Sequence, residues 1–213
     1  MKIALDVSDK TNGIYDITVG SLVNNLGFGP SLFLDNQYVF ESYSLKFLID
    51  DKNKSISKYK DVVFDLSSVA KGYAVDEISN YLLANNFNNY LIDIGGEIAA
   101  NGSSKNGIWT IGIQDPQSLQ QNVSFTVPNS DKFIGVATSG DYLNFKYLDG
   151  ELVTHSIDSS SDIILNAVAN ASALLTEDSS KTVTERILLS LDLIILGSIE
   201  WETSSPSRYL KFK

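Results

Sequence analysis

The sequence predicts an α+β fold, and three observations carry that prediction. Apolar runs of strand length, rich in Val, Ile, Tyr and Phe, recur along the chain. Helix-length apolar patterns are few and isolated, so the strands do not alternate regularly with helices as in a doubly wound sheet. Turn signals such as Asn12-Gly13 and Asp149-Gly150 punctuate the runs, with no internal repeat and no low-complexity linker. With 213 residues, 43% of them hydrophobic and 20% charged, the chain can bury a substantial core, as one large domain or two small lobes.

The elements follow in order. Residues 1–11 read as a helix end with Ile3, Ala4, Leu5 and Val7 on one side, stopped by Asn12-Gly13. Tyr43 to Ile49 and Val62 to Leu66 read as strands around the polar turn from Asp50 to Lys54. A helix is expected from Ser67 to Asn85, with an apolar face of Val69, Tyr73, Val75 or Ile78, Leu82 and Leu83. Tyr90 to Ile94 is a short strand ending in Gly95-Gly96. Trp109 to Ile113 and Phe133 to Ala137 follow as strands. Tyr142 to Leu148 and Glu151 to Ile157 then pair across the hairpin signal Asp149-Gly150. Ile163 to Val168 and Leu191 to Leu196 read as further strands, with a helix between residues 173 and 190.

Charge and composition exclude several classes. The net charge of -10 argues against a nucleic-acid surface, which needs a basic stripe against the phosphates. A nucleotide ligand stays compatible with acidity, because backbone amides and a metal can hold phosphates. Without cysteine there is no disulfide framework and no thiolate nucleophile or metal ligand. The opening Met1-Lys2-Ile3-Ala4-Leu5-Asp6 is too polar for a signal peptide. No apolar run reaches the roughly 18 residues of a membrane-spanning helix.

Five segments carry candidate chemistry. From Asp65 to Asp76 a strand ends in a carboxylate, Ser67 and Ser68 cap a helix, and Lys71-Gly72 follow in its first turns. A helix start offers unpaired N–H groups and partial positive charge, which suit a pyrophosphate. A capped amphipathic helix with a solvated Lys71 accounts for the same pattern. Asp93-Ile94-Gly95-Gly96-Glu97 permits a bulge or positive φ, exposing backbone amides, or is simply a tight turn. Ala137-Thr138-Ser139-Gly140-Asp141-Tyr142 sets two hydroxyls beside a glycine, as a hydrogen-bonded turn also does. His155, the sole histidine, is the natural base near neutral pH; a structural strand histidine reads the same way. Asp178 and Thr182 stand at i and i+4, on one face if a helix is present, and their oxygens suit magnesium or a solvated helix start.

Taken in order, these segments resemble the ApbE family of flavin transferases. Gly13-Ile14-Tyr15-Asp16-Ile17-Thr18-Val19-Gly20, with Leu22-Val23-Asn24 and Gly27-Phe28-Gly29-Pro30, resembles the family's G-A-F-D-x-T-V-G-P-L-V segment and its continuation. Asp65 to Asp76 is similar to its D-L-x-x-x-A-K-G-Y-A-x-D signature. Asn89 to Ile98 and Ala137 to Tyr142 match the next two, and His155-Ser156-Ile157-Asp158 the start of H-x-I-D-P-x-T-G. The resemblance covers residues 1 to 160 best. It implies an ApbE-like, T-fold-related α+β domain over residues 1–213, with mixed sheets, packed helices and no counterpart of the family's usual N-terminal segment. It implies FAD held by Ile14, Tyr15, Asp16, Asp65, Lys71 and Ile157, and magnesium held by Ser68, Asp178 and Thr182. His155 falls at the family's base. The implied reaction moves FMN from FAD to a threonine of a flavin-acceptor protein and releases AMP.

The pattern also departs from the family. Ser159-Ser160-Ser161-Asp162 stands where Pro-x-Thr-Gly is expected. Lys181 stands where some members carry a second aspartate, and a cation there repels magnesium. An alignment through Leu196-Gly197 instead loses both Asp178 and Thr182. Two functional classes follow: a short flavin transferase or FAD pyrophosphatase, and a catalytically impaired relative that still binds a flavin nucleotide.

Overall fold

A computed structural model describes residues 1–10, 12–13, 15–30, 39, 41–114, 122–129, 133–139, 145–148, 150–155, 172–176 and 210–211. The chain divides into two compact units: Met1–Leu66 with Asn144–Asn166, and Ser67–Leu143 with Ala167–Lys213.

In the first unit, helix α1 (Lys2–Lys10) buries Ala4, Val7 and Ser8, a spacing of three to four residues that defines one helical face. It ends at Asn12 and Gly13, whose φ angles of 51° and 84° are the left-handed stop expected of Asn-Gly. The short helix α2 (Gly20–Asn25) starts against the chain at Val63. Gly20 donates its N–H to the Val63 carbonyl at 3.1 Å, and a Cβ at Gly20 would sit 2.7 Å from that oxygen. Only glycine permits so close an approach. A 3₁₀ turn at Tyr43–Leu45 leads into β1 (Phe47–Asp50), which pairs antiparallel with β2 (Ser55–Lys58). The expected strand from Tyr43 therefore starts four residues later. Its partner is Ser55–Lys58 and not Val62 to Leu66, because the turn at residues 51–54 closes the hairpin locally. Val62 to Leu66 instead runs irregularly, with one parallel bridge from Val63 to Val19.

The second unit is built on a five-stranded mixed sheet. Helix α3 (Ser67–Ala84) precedes β3 (Tyr90–Ile94) and β4 (Glu97–Asn101), which form a tight hairpin. The small ladder β5 (Ser103–Ser104) with β6 (Gly107–Ile108) follows, then the pair β7 (Thr110–Gln114) and β8 (Val123–Pro128). In the main sheet β4 also pairs with β9 (Ile134–Ser139), and β9 with β12 (Ser172–Thr176), all antiparallel. A parallel partner for β12, β13 (Leu210–Lys211), completes the order β13-β12-β9-β4-β3. The hairpin β10 (Phe145–Leu148) and β11 (Glu151–Thr154) belongs to the first unit and turns at Gly150, as Asp149-Gly150 predicts.

Two apolar clusters cover the two faces of the main sheet. Val75 of α3 joins Tyr90, Ile92, Ala99 and Ala137 on one face, with Leu82 and Phe133 packed alongside. Ala100, Ile134 and Val136 join Ile111 and Ile113 of β7 on the other. Neighbouring strand residues Ala99 and Ala100 fall in different clusters, as the alternation of a pleated strand requires. The buried stripe of α3 is Val69, Gly72, Val75 and Ser79, whereas Tyr73, Ile78 and Leu83 are exposed. The expected apolar face was therefore rotated. Ser172–Thr176 is a strand; residues 177–190, where the expected helix could still fall, and the strands expected at 163–168 and 191–196 lie outside the described residues.

Candidate functional site

Three of the candidate residues lie close together in the first unit. The segment from Tyr15 to Thr18 folds back on itself: Asp16 Oδ1 accepts the Thr18 N–H at 2.8 Å, an Asx-type turn. The Thr18 hydroxyl lies 2.8 and 2.9 Å from the two carboxylate oxygens. Lys46 Nζ donates to Asp16 Oδ2 at 2.8 Å and to the Thr18 hydroxyl at 2.8 Å. Asp65 enters from the other side, its N–H donating to the Ile17 carbonyl at 2.8 Å. Tyr15 and Asp16 are buried and Asp65 half-buried. A cavity of about 360 Å³ opens here, with Asp9, Gly13, Asp16, Glu41 and Tyr43 in its wall. Tyr43 donates its hydroxyl to Asp9 at 3.0 Å; burial and that carboxylate together push its phenol above the usual range.

In the second unit, Lys71 is the candidate residue with the best-defined surroundings. Its place in the first turns of α3 brings it to the β3–β4 hairpin, where Nζ donates to the Gly95 carbonyl at 3.2 Å and lies 2.6 Å from Glu97 Oε2. Gly95 and Gly96 have φ of 58° and 94°, the pair of positive values that a two-residue type I′ turn demands. Asp93 steadies the turn by accepting the Gly96 N–H at 3.0 Å. Glu97 is buried while the Lys71 side chain is 47% exposed. Burial pushes the Glu97 carboxyl above its ordinary range, and Lys71 offsets part of that rise. Asp65–Gly72 and Asp93–Glu97, separate motifs in sequence, thus supply an ammonium over a glycine turn, backed by a carboxylate. Ser68 lies half-buried in the first turn of α3.

His155 is exposed at the end of β11. Its ring meets Phe28 edge-on at 6.4 Å, and Lys146 Nζ lies 4.9 Å over the same Phe28 ring while donating to the Gly27 carbonyl. The Gly27-Phe28 segment is therefore the local support of the histidine. Ile14, Ile157, Asp178, Lys181 and Thr182 lie outside the described residues, as do Gly140 to Tyr142. Of the three candidate magnesium ligands only Ser68 is described. Among the described residues no three His, Asp or Glu side chains converge on a metal position.

Sequence reasoning missed Lys46 and Glu97. Lys46 sits alone in the apolar run Ser44-Leu45-Lys46-Phe47-Leu48, which reads as a strand with one solvated side chain. Glu97 was legible in principle: Gly95-Gly96 between Tyr90–Ile94 and Glu97-Ile98-Ala99-Ala100 is a hairpin signal, and it places the first residue of the return strand beside the turn.

The profile of the ApbE family matches residues 1–180. Among curated proteins, the FAD:protein FMN transferase of Vibrio cholerae is 34% identical over 166 residues, covering 74% of this chain and 49% of that protein. The Escherichia coli K12 protein of the same name is 32% identical over 167 residues, covering 73% and 47%. That of Haemophilus influenzae is 30% identical over 237 residues, covering 98% and 68%. Among solved structures, the ApbE protein of Thermotoga maritima superposes with a TM-score of 0.72 at 26% identity, over 93% of this chain and 65% of that one. The flavin transferase ApbE of Vibrio cholerae gives 0.66 at 29%, over 92% and 62%. A mixed α+β fold carrying these motifs in this order defines the class: the chain belongs to the ApbE family. It spans about half the length of the Vibrio and Escherichia relatives.

Proposed function

We propose that this chain is a flavin transferase that takes FAD as substrate and passes its FMN half to a hydroxyl of an acceptor protein. The observation that carries the reading is the meeting of Lys71 with the Gly95 turn, which unites two motif segments 24 positions apart. An ammonium and a helix N-terminus in one place suit the pyrophosphate of a dinucleotide. The relatives' names suggest the reaction type, and the motif resemblance assigns Ile14, Tyr15, Asp16, Asp65, Lys71 and Ile157 to FAD.

In this reading the acceptor's threonine oxygen attacks the FMN phosphorus, a P–O bond forms, and the bond to the AMP phosphate breaks. His155 accepts the hydroxyl proton and AMP carries away the electron pair. Lys71 offsets charge on the pyrophosphate, and Glu97 keeps the ammonium over the turn. Ser68, Asp178 and Thr182, the positions the resemblance gives to magnesium, would hold the ion, which would supply further charge stabilisation at the pyrophosphate.

The test is FAD titration with and without magnesium, followed by chromatography for FMN and AMP. Saturable binding with AMP release and acceptor-bound FMN supports the reading. Release of free FMN and AMP without transfer makes the chain a pyrophosphatase, and binding without products makes it a flavin-nucleotide binder. Absence of binding removes the proposal altogether.

A further inference from the structure

Lys46 lies outside all five motif segments, yet it is the largest fully buried side chain among the described residues, 2% exposed. Its ammonium donates bonds of 2.8 Å to Asp16 Oδ2 and to the Thr18 hydroxyl, whose residues are themselves 7% and 2% exposed. Such a pair is poor as a stability device. Moving each charge out of water costs several kcal/mol, and apolar replacements of buried pairs are often neutral or stabilising. What a buried pair supplies is a single geometry, because neither charge can leave its partner without exposing the other. Here that geometry belongs to the Tyr15–Thr18 segment. The Asp16 carboxylate is held by the Thr18 N–H, the Thr18 hydroxyl and Lys46, and the Ile17 carbonyl by the Asp65 N–H. A carboxylate has about four lone-pair positions, and these donors engage both oxygens. Gly13 and Asp16 are in the wall of the adjoining cavity, so the arrangement of this segment is part of that wall.

We propose that Lys46 is a positioning residue of the nucleotide site, holding Asp16, Thr18 and the backbone between them in one arrangement against that cavity. The proposal rests on the reading that this segment faces FAD. A purely structural lysine would change the stability of the chain and leave the affinity of its folded fraction intact. A positioning lysine changes affinity itself, by at least about tenfold, the scale on which residues behind binding groups act.

The experiment uses the full chain as wild type, Lys46→Met and Lys46→Gln. FAD affinity is measured by flavin fluorescence, the bound flavin's visible circular dichroism is recorded, and melting is followed in parallel. Methionine keeps the length and removes every donor; glutamine keeps donors for Asp16 and Thr18 without the charge. The expected result is affinity weakened about tenfold or more in Lys46→Met, with an altered flavin dichroism, and an intermediate value in Lys46→Gln. A folded Lys46→Met that binds within about threefold of wild type overturns the proposal while leaving the function intact. Should Lys46→Met fail to fold, Lys46→Gln decides: weakening beyond about threefold at unchanged melting supports the positioning role, and wild-type affinity overturns it. If wild type binds no FAD, the functional reading fails first and takes this proposal with it.

Discussion

The Lys71–Glu97 pair is asymmetric, and its two halves respond differently to removal. Glu97 is buried and its carboxyl is pushed up from its ordinary value, chiefly by desolvation, whereas Lys71 keeps about half its side chain in water. A carboxyl raised in the folded state binds its proton more tightly there than in the unfolded chain. Its contribution to stability is thus fully present below the unfolded value of 4.5 and is lost as pH rises through the raised one. Removing the cation by Lys71→Met leaves a buried carboxylate with less compensation and moves that loss further up in pH. Breaking a fully buried pair from one side costs about 3–5 kcal/mol; with one end in water, about 2 kcal/mol is expected near pH 8. For a chain of this size that lowers the melting temperature by roughly 4–8 °C. Glu97→Gln removes the buried charge itself and leaves an ammonium that water can solvate, so its change at pH 8 stays within about 1 kcal/mol. Thermal unfolding of wild type and both variants at pH 5 and 8 checks this, with the Lys71→Met deficit shrinking at pH 5 as Glu97 takes up a proton. A Glu97→Gln protein less stable than Lys71→Met at pH 8 would mean that burial of the Glu97 charge is not the costly half of the pair.

Three further outcomes follow from particular contacts. Asn129 is buried, donates to the Gly102 carbonyl at 2.6 Å and accepts the Trp109 N–H at 3.1 Å. Asn129→Ala strands both partners and should cost about 2–3 kcal/mol in urea unfolding, with a shift in tryptophan emission. Ser79 and Tyr90 share a hydroxyl contact of 2.5 Å, and burial raises the Tyr90 phenol while Ser79 holds it down. Ser79→Ala should cost about 1 kcal/mol and move the Tyr90 ultraviolet titration to higher pH. His155 is exposed, so His155→Ala should leave melting within about 0.5 kcal/mol of wild type while suppressing FMN transfer.

Much of the fold was legible where local signals agree with the final packing. The carboxylate and paired serines at residues 65–68 mark the start of α3, and Asp149-Gly150 marks a hairpin that turns at Gly150 with positive φ. The elements misjudged were those set by partners distant in sequence. Val62 to Leu66 has strand composition, but β2 reaches β1 first across a short turn, leaving Val63 a single bridge to Val19. On α3 several apolar stripes were possible, and the sheet selects the one through Gly72 and Ser79, whose small size lets the helix approach. Ser172–Thr176 becomes a strand because β9 offers it an antiparallel edge, a fact that no local window contains. The site divides the same way. Asp16 and Lys71 belong to recognisable motifs and Glu97 follows a legible hairpin turn, while the pairing of Lys46 with Asp16 is set by tertiary contact alone.

Flavin transfer itself is tested by incubating the full chain with FAD, magnesium and a threonine peptide of the family's acceptor type, then weighing the peptide by mass spectrometry. The expected result is a peptide that gains one FMN through its threonine, equimolar AMP, and loss of both products in Lys71→Met. A peptide left unmodified by a folded protein, with FAD recovered intact, would contradict it.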